Sequence, residues 1–452
     1  MIALNNISKV YMLGVGGIGM SALARYFINS GKQLFGYDKT PSRITDELQA
    51  EGAVLHFNED VNQIPLDVDL VVFTPAIPTD NKEYQYFVDK GINLYKRAEV
   101  LGQLTNGQFT IAVAGSHGKT TVTSMIAHIL AYAGLEVTAL IGGICKNFKS
   151  NFYASGNKYF VVEADEYDRS FLQLQPNVAV VTSMDNDHLE VYPTEADLKQ
   201  AFNQFANQIK KGGKLIVNKI CGELDSEVPS NSTIEYHLDR DGTSYRAKNI
   251  TIQNGNYVFI CNNQKVVLQI GGRHNVENAI AAFATACEIG IEPELVAEAL
   301  NTFEGIERRF DFVLKEDDVI FIDDYAHHPH EVTRFIEGVK ELYPSKKITA
   351  IFQPHLFSRT QMLAKPFAQA LSAADRVVLM DIYPAREKAV EGVTSRLIQQ
   401  YIEGVEQRIF NTNDVTEAIK VDDEIVVTIG AGDIGNCIQN IKNCLTKIHK
   451  IN

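Results

Sequence analysis

The sequence predicts an α/β protein built as three domains in series. Three observations carry this reading. Short apolar runs recur along the whole chain, each ending in a glycine or polar turn, with helix-periodic segments between them. The runs alternate little between apolar and polar residues, the pattern of parallel strands covered on both faces. A chain of 452 residues also exceeds what one ordinary core accommodates. The expected boundaries are 1–107, 108–312 and 313–452.

The first domain opens with the strand Lys9–Gly14, then a helix in which Leu23, Ala24, Phe27 and Ile28 recur at helical spacing. Further strands are expected at Gln33–Asp38 and Val68–Thr74, and Thr105-Asn106-Gly107 is a turn that ends the block. Gly14, Gly16, Gly17 and Gly19 follow the first strand, in the manner of G-x-G-x-x-G. Such a loop presents backbone N–H groups to any diphosphate, in a dinucleotide or in a nucleotide sugar. Asp38 closes the next strand, where an acidic residue bonds a ribose hydroxyl. A nicotinamide-dependent oxidoreductase and a tight structural turn are the alternatives.

In the second domain, the strand Phe109–Gly115 enters a glycine turn, and a helix follows from Thr120 to about Ala133. The long phosphate loop G-x-x-x-x-G-K-[ST] requires glycine where Val113 stands. The glycine present is Gly115, which makes the shorter form G-x-x-G-K-T. Between a strand and a helix, its N–H groups cradle phosphate, Lys119 neutralises phosphate charge, and the Thr120 hydroxyl faces Mg²⁺. The strand Tyr159–Asp165 delivers Glu163, Asp165, Glu166 and Asp168 to the edge where α/β proteins bind ligands. Glu163 leaves the strand first and is the expected Mg²⁺ ligand. The strand Val178–Met184 brings His188 to the same edge, near Asp185 and Asp187. After the strand Lys214–Asn218, Thr233–Ile270 reads as hairpins, with a turn at Asn262-Asn263. A helix follows from about Val276 to Cys287, opened by His274, Asn275 and Asn278. These asparagines suit either reading a base edge or capping the helix.

The third domain offers four more buried strands, in "DVIFIDDYA", "KKITAIFQ", "DRVVLMDIY" and "EIVVTIGAG". The polar groups lie in "IERRFD", "DDYAHHPHE", "QPHLFSRT" and "IGAGDIG", whose Arg and His side chains suit anionic ligands.

Composition narrows the function. The formal charge of −14 opposes a general nucleic-acid binder. Six cysteines without a C-x-x-C pair read as reduced thiols of a cytoplasmic protein. No charged leader precedes an apolar run, so no signal peptide is expected. No apolar stretch approaches the ~20 residues that span a bilayer, so membrane insertion is not expected.

In order, "GVGGIGMS", "AGSHGKTT", "EADEYDRSF", "DNDHLE", "GRHNVENA", "RRFD", "DDYAHHP", "FQPH…RT" and "GAGDIG" resemble the Mur ligases. These are ATP-dependent, Mg²⁺-requiring, amide-forming enzymes of peptidoglycan precursor synthesis. The resemblance spans essentially the whole chain and is strongest to the branch that adds L-alanine to UDP-N-acetylmuramate. It implies a Rossmann-like domain for the UDP-sugar, a central ATPase domain with a smaller β-hairpin region, and a Rossmann-like C-terminal domain. It places Gly14, Gly16, Gly17, Ile18, Gly19, Asp38 and Thr74 at the UDP-sugar. It places Gly115, Ser116, His117, Gly118, Lys119, Thr120, Thr121, His274, Asn275, Asn278, Arg309 and Asp324 at ATP. Thr120, Glu163 and His188 would hold metal, and Lys119, His188, His327 and Arg359 would serve catalysis. His117 also resembles the alanine-adding branch. Two departures bear on substrate. Leu356 stands where many alanine-adding relatives have an arginine, leaving Arg359. Tyr167 in "EADEYD" resembles instead a recycling ligase that attaches a murein tripeptide to the same sugar, which is the alternative substrate reading.

Overall fold

The computed structural model describes residues 7–185, 191–385 and 387–450. The chain divides into two compact units. One comprises Met1–Asn249, Phe259–Val266 and Glu277–Phe303, the other Ile250–Val258, Val267–Val276 and Glu304–Asn452.

The first unit holds two sheets. The N-terminal sheet contains β1 (Lys9–Leu13), β2 (Gln33–Tyr37), β3 (Val54–His56), β4 (Leu70–Phe73) and β5 (Leu94–Lys96), in the order β3-β2-β1-β4-β5. All neighbours are parallel. The order reverses between β1 and β4, and a ligand crevice forms at such a point, beyond the carboxyl ends of the strands. Val10, Tyr11, Met12 and Leu13 are fully buried, which explains the unbroken apolar run.

The central sheet contains β6 (Phe109–Ala114), β7 (Val137–Cys145), β8 (Ser150–Ala154), β9 (Tyr159–Glu163), β10 (Val178–Val181), β11 (Lys214–Asn218), β12 (Thr233–His237) and β13 (Tyr245–Arg246). Its order is β13-β12-β11-β10-β6-β9-β7-β8. Only β8 runs antiparallel to its neighbour. The two sheets share one core. Leu101 and Leu104, on the helix Arg97–Thr105, belong to the same buried cluster as Phe171, Leu174, Phe202 and Phe205.

A smaller sheet of β14 (Lys248–Gln253), β15 (Asn256–Cys261) and β16 (Gln264–Leu268) follows. Here the hairpin expectation is partly corrected. Thr233–His237 is no hairpin arm, because β12 extends the parallel central sheet beside β11. The Asn262-Asn263 turn does form, with φ of 46° and 63°. Two left-handed residues in succession match the twist of a two-residue hairpin, and asparagine tolerates them.

The C-terminal sheet contains β17 (Asp311–Lys315), β18 (Ile320–Asp324), β19 (Ile348–Phe352), β20 (Arg376–Met380), β21 (Glu406–Phe410) and β22 (Ile425–Ile429), in the order β17-β18-β22-β19-β20-β21. Only β17 is antiparallel. The expected α/β class is what the chain adopts. All six cysteines are free. Among the described residues, no helix is long and apolar enough to cross a membrane.

Candidate active site

β6 ends at Ala114, and the chain turns through Gly115–Gly118 into the helix Lys119–Tyr132. Gly115 and Gly118 have φ of +138° and +83°. A Cβ on Gly118 would lie 2.5 Å from Asn278 Oδ1, and one on Gly115 would collide with Thr182 Oγ1. The turn therefore requires glycine at both places, in φ and in space. Loop shape is braced from the segment that follows β10: His117 N–H donates to Ser183 Oγ at 2.8 Å, and Ser116 Oγ donates to Asp185 O at 2.7 Å. Thr120 and Thr121 are nearly buried in the first helical turn.

Lys119 Nζ donates to Gly115 O at 2.7 Å. It also reaches both oxygens of Glu166, at 3.0 and 2.8 Å. Glu166 is 1% exposed. Burial pushes its carboxyl above the usual range, and the Lys119 ammonium opposes that shift.

Glu163 ends β9, the strand beside β6. Its Oε1 accepts the Gly142 N–H at 2.6 Å, and a Cβ on residue 142 would collide with the carboxylate at 2.5 Å. The donor chemistry fits Mg²⁺: one carboxylate and one hydroxyl, with phosphate and water supplying the remaining ligands. Glu163 and Thr120 are the described residues that would hold it. His188, expected as a further ligand, lies outside the described residues, as does Asp187.

Asn275 and Asn278 sit in the first turns of the helix Arg273–Glu288, which begins earlier than the sequence pattern predicts. Asn275 Nδ2 donates to Gly271 O at 2.7 Å, tying the helix start to the preceding glycine turn through a donor, where an N-cap side chain would accept. Asn278 instead faces the phosphate loop at Gly118. His274 lies beside Gly272.

At the N-terminal sheet, Gly14 follows β1 with φ +80°, against Thr74 at the end of β4. The helix Ile18–Asn29 begins on the loop, and Gly17 precedes it. Asp38 Oδ2 accepts the Gly16 N–H at 2.8 Å, so this carboxylate braces the glycine loop itself. The Arg97 guanidinium lies 3.1 Å from where a Cβ on Gly19 would be, which sets a fixed positive charge beside the loop.

In the C-terminal unit, Asp324 accepts the N–H groups of Phe310 and Ala326, both at 2.8 Å, while burial pushes its carboxyl up to about 7. Arg308, at φ +63°, donates to Asp323 and to Gly430 O. Arg309 is exposed. His327 and His355 stand with ring centroids 6.1 Å apart, and His355 stacks on Tyr383. Arg359 Nη1 lies 3.4 Å from His327 O and 3.5 Å from His355 Nδ1. Burial and the Arg359 charge push His355 down to about 4, and burial pushes His327 down as well.

Three family profiles match the chain: Mur ligase family, catalytic domain, over 9–109; Mur ligase middle domain, over 113–286; and Mur ligase, glutamate ligase domain, over 308–432. The chain belongs to the Mur ligase family. Relatives of this Mur ligase include the UDP-N-acetylmuramate–L-alanine ligase of Flavobacterium johnsoniae. That protein is 44% identical, over 98% of this chain and 99% of its own. The enzyme of the same name from Flavobacterium psychrophilum is 45% identical, over 97% and 98%. Among solved structures, the UDP-N-acetylmuramate–alanine ligase of Thermotoga maritima is 26% identical with a TM-score of 0.84, covering 97% of this chain and 99% of that one. A murein peptide ligase of Psychrobacter arcticus shares the fold at 23% identity and a TM-score of 0.68, covering 97% and 98%.

Family membership removes the oxidoreductase reading of the glycine loop. Within the first unit of this Mur ligase, the structure brings Gly115–Thr121, Glu163 and Asn278 to one edge of the central sheet. Sequence reasoning gave no role to Glu166, Arg97, Arg308, His355 or Tyr383. Glu166, Arg308 and His355 lie in the same motifs as Glu163, Arg309 and Arg359. Nothing in a linear sequence says which of two adjacent arginines turns inward, because that depends on the left-handed φ at Arg308.

Proposed function

We propose that this enzyme joins L-alanine to the lactyl carboxylate of UDP-N-acetylmuramate, driven by ATP, in cytoplasmic peptidoglycan precursor synthesis. The observation that carries the ATP part is the G-x-x-G-K-T turn between β6 and its helix, with Glu163 ending the neighbouring strand. The full-length relatives named for this reaction, at 44% and 45% identity, support the substrate pair over a murein tripeptide. Free thiols and the lack of a membrane-crossing helix among the described residues support the compartment.

The chemistry follows from the problem. A carboxylate does not condense with an amine near neutral pH, because oxide would have to leave. Its oxygen instead attacks the γ-phosphorus of ATP in line, and ADP leaves. The amine then attacks the carbonyl carbon of the acyl phosphate, inorganic phosphate leaves with the bonding pair, and the nitrogen gives up one proton. Backbone N–H groups of Gly115–Thr121 orient the phosphates, and Lys119 offsets charge developing on them. Mg²⁺, held by Thr120 and Glu163, would neutralise phosphate charge when bound. Asn278 is assigned to adenine, with His274 and Asn275 beside it and Arg309 and Asp324 at the nucleotide. The glycine loop Gly14–Gly19, with Ile18, Asp38 and Thr74, is assigned to the UDP diphosphate. Its support is the strand-order reversal at β1/β4 and the Arg97 charge. Arg359 and His327 are assigned to the amino acid. A guanidinium suits the alanine carboxylate, and a neutral imidazole leaves the amine its lone pair.

The domain division 1–107, 108–312 and 313–452 belongs to this proposal, supported by three predominantly parallel sheets and three family matches. One assay decides the substrate. Phosphate release is followed with ATP, Mg²⁺ and UDP-N-acetylmuramate, adding L-alanine, glycine, L-serine or the tripeptide in turn. L-alanine is expected to give the highest kcat/KM; a preference for the tripeptide rejects the reading.

A further inference from the structure

Glu166 is a buried charge that the reaction scheme does not use. Both of its carboxylate oxygens bond Lys119 Nζ, at 3.0 and 2.8 Å, and the same ammonium donates to Gly115 O at 2.7 Å. An ammonium has three donors, and these contacts engage them. Lys119 therefore folds back over its own loop. A phosphate bound there has to take at least one of those donors.

Glu166 is also fastened from behind. The fully buried Tyr192 donates its hydroxyl to Glu166 O at 2.7 Å, and Arg169 N–H donates to the same oxygen at 3.0 Å. Asp168 and Arg169 follow with φ of 53° and 54°. Two successive non-glycine residues in the left-handed region are unfavourable alone and persist because surrounding contacts hold them. Those contacts include the Lys96–Asp168 ion pair and the Arg169 guanidinium over the Tyr192 ring. The carboxylate thus stands on a turn that is held in place by contacts outside the phosphate loop.

We propose that Glu166 is a positioning residue that competes with the ATP phosphates for the Lys119 ammonium, thereby setting the apparent affinity for nucleotide. The inference rests on the ATP reading of the loop. A ligand that binds only the released form has its affinity reduced by the fraction of protein in that form. A triphosphate carries more negative charge and more acceptor oxygens than one carboxylate, so it wins the competition. As ADP leaves, the carboxylate recaptures the ammonium, which keeps the loop ordered and limits product retention.

The test uses Glu166→Gln in the full chain. Glutamine has the same shape, retains an acceptor, and is less unfavourable to bury than a carboxylate. The KM for ATP is expected to fall about three- to tenfold, with no rise in kcat. The upward shift in melting temperature given by ATP with Mg²⁺ is expected to grow. Glu166→Asp withdraws the charge by one methylene, and its KM should fall between the two; it decides the matter if the glutamine variant does not fold. A residue that merely supports the fold would instead raise KM and lower kcat together. An unchanged or raised KM for ATP in the folded variants overturns the proposal. Absence of ATP-dependent phosphate release by the unaltered enzyme would overturn the ATP reading as well, which separates the two failures.

Discussion

Lys119 is the residue with the most to lose by substitution. Lys119→Ala removes the charge aimed at phosphate, and turnover should drop by about 10²-fold or more in a phosphate-release assay. It also strands Glu166, 1% exposed, without its ammonium. The variant should be destabilised by roughly 3 kcal/mol in denaturant titration. Adding Glu166→Gln to it should recover most of that stability and none of the turnover. His355 supplies a pH-dependent prediction. Its imidazole is faced by Arg359, His327 and Glu387, and it is pushed down to about 4 in the folded chain. The unfolded chain therefore binds a proton at this site between about pH 6.5 and 4 that the folded chain does not. Stability from this group is present above that window and is lost as pH falls through it. His355→Gln should flatten the stability-versus-pH curve over that interval; an unchanged slope rejects the assignment.

At the scale of the element, the phosphate loop depends on backbone conformation more than on side chains. Gly118→Ala places a Cβ at φ +83°, where it meets Asn278 Oδ1. The expected cost is about 1–3 kcal/mol of stability, with a raised KM for ATP because Asn278 has to move. Wild-type KM in a stable Gly118→Ala variant would mean that the loop tolerates another conformation. The glycine loop after β1 follows the same logic with a different brace, since Asp38 receives the Gly16 N–H. These loops were legible in the sequence because glycine spacing, a preceding apolar strand and a following helix all agree locally. The run Val137–Cys145 carries only a weak strand pattern, although it pairs on both sides in the central sheet. Its glycines at 142 and 143 weaken a local strand signal. The reason for Gly142 lies across the sheet, where the Glu163 carboxylate needs the space.

At the scale of the whole molecule, the first two sheets share an apolar core and are also joined by a buried polar junction. Asn151, fully buried on β8, donates to Ile18 O at 2.7 Å and to Ser21 Oγ at 2.8 Å. It accepts from the Arg25 guanidinium, which is 5% exposed and also bridges Glu47 and Glu51. Asn151→Ala leaves Ile18 O and one arginine donor without this partner, at a cost of about 2–3 kcal/mol. Amide hydrogen exchange should then accelerate across the helix Ile18–Asn29 ahead of the central sheet. Unchanged protection would show that the apolar core alone couples the two sheets.

The sequence by itself determined the fold class, most of the buried central strands, and the two glycine turns. Each is encoded by neighbours within a dozen residues, through apolar runs, glycine spacing and helix periodicity. It also carried the family motifs in order. Only the tertiary structure decided which strands lie side by side, so only it placed Glu163 next to the loop that β6 feeds. It alone turned Arg308 inward, bound Asp38 to a backbone N–H, and set Glu166 against Lys119. Those outcomes depend on contacts between residues 15 to more than 100 positions apart. Burial then decides which of several similar charges in a motif must find a partner.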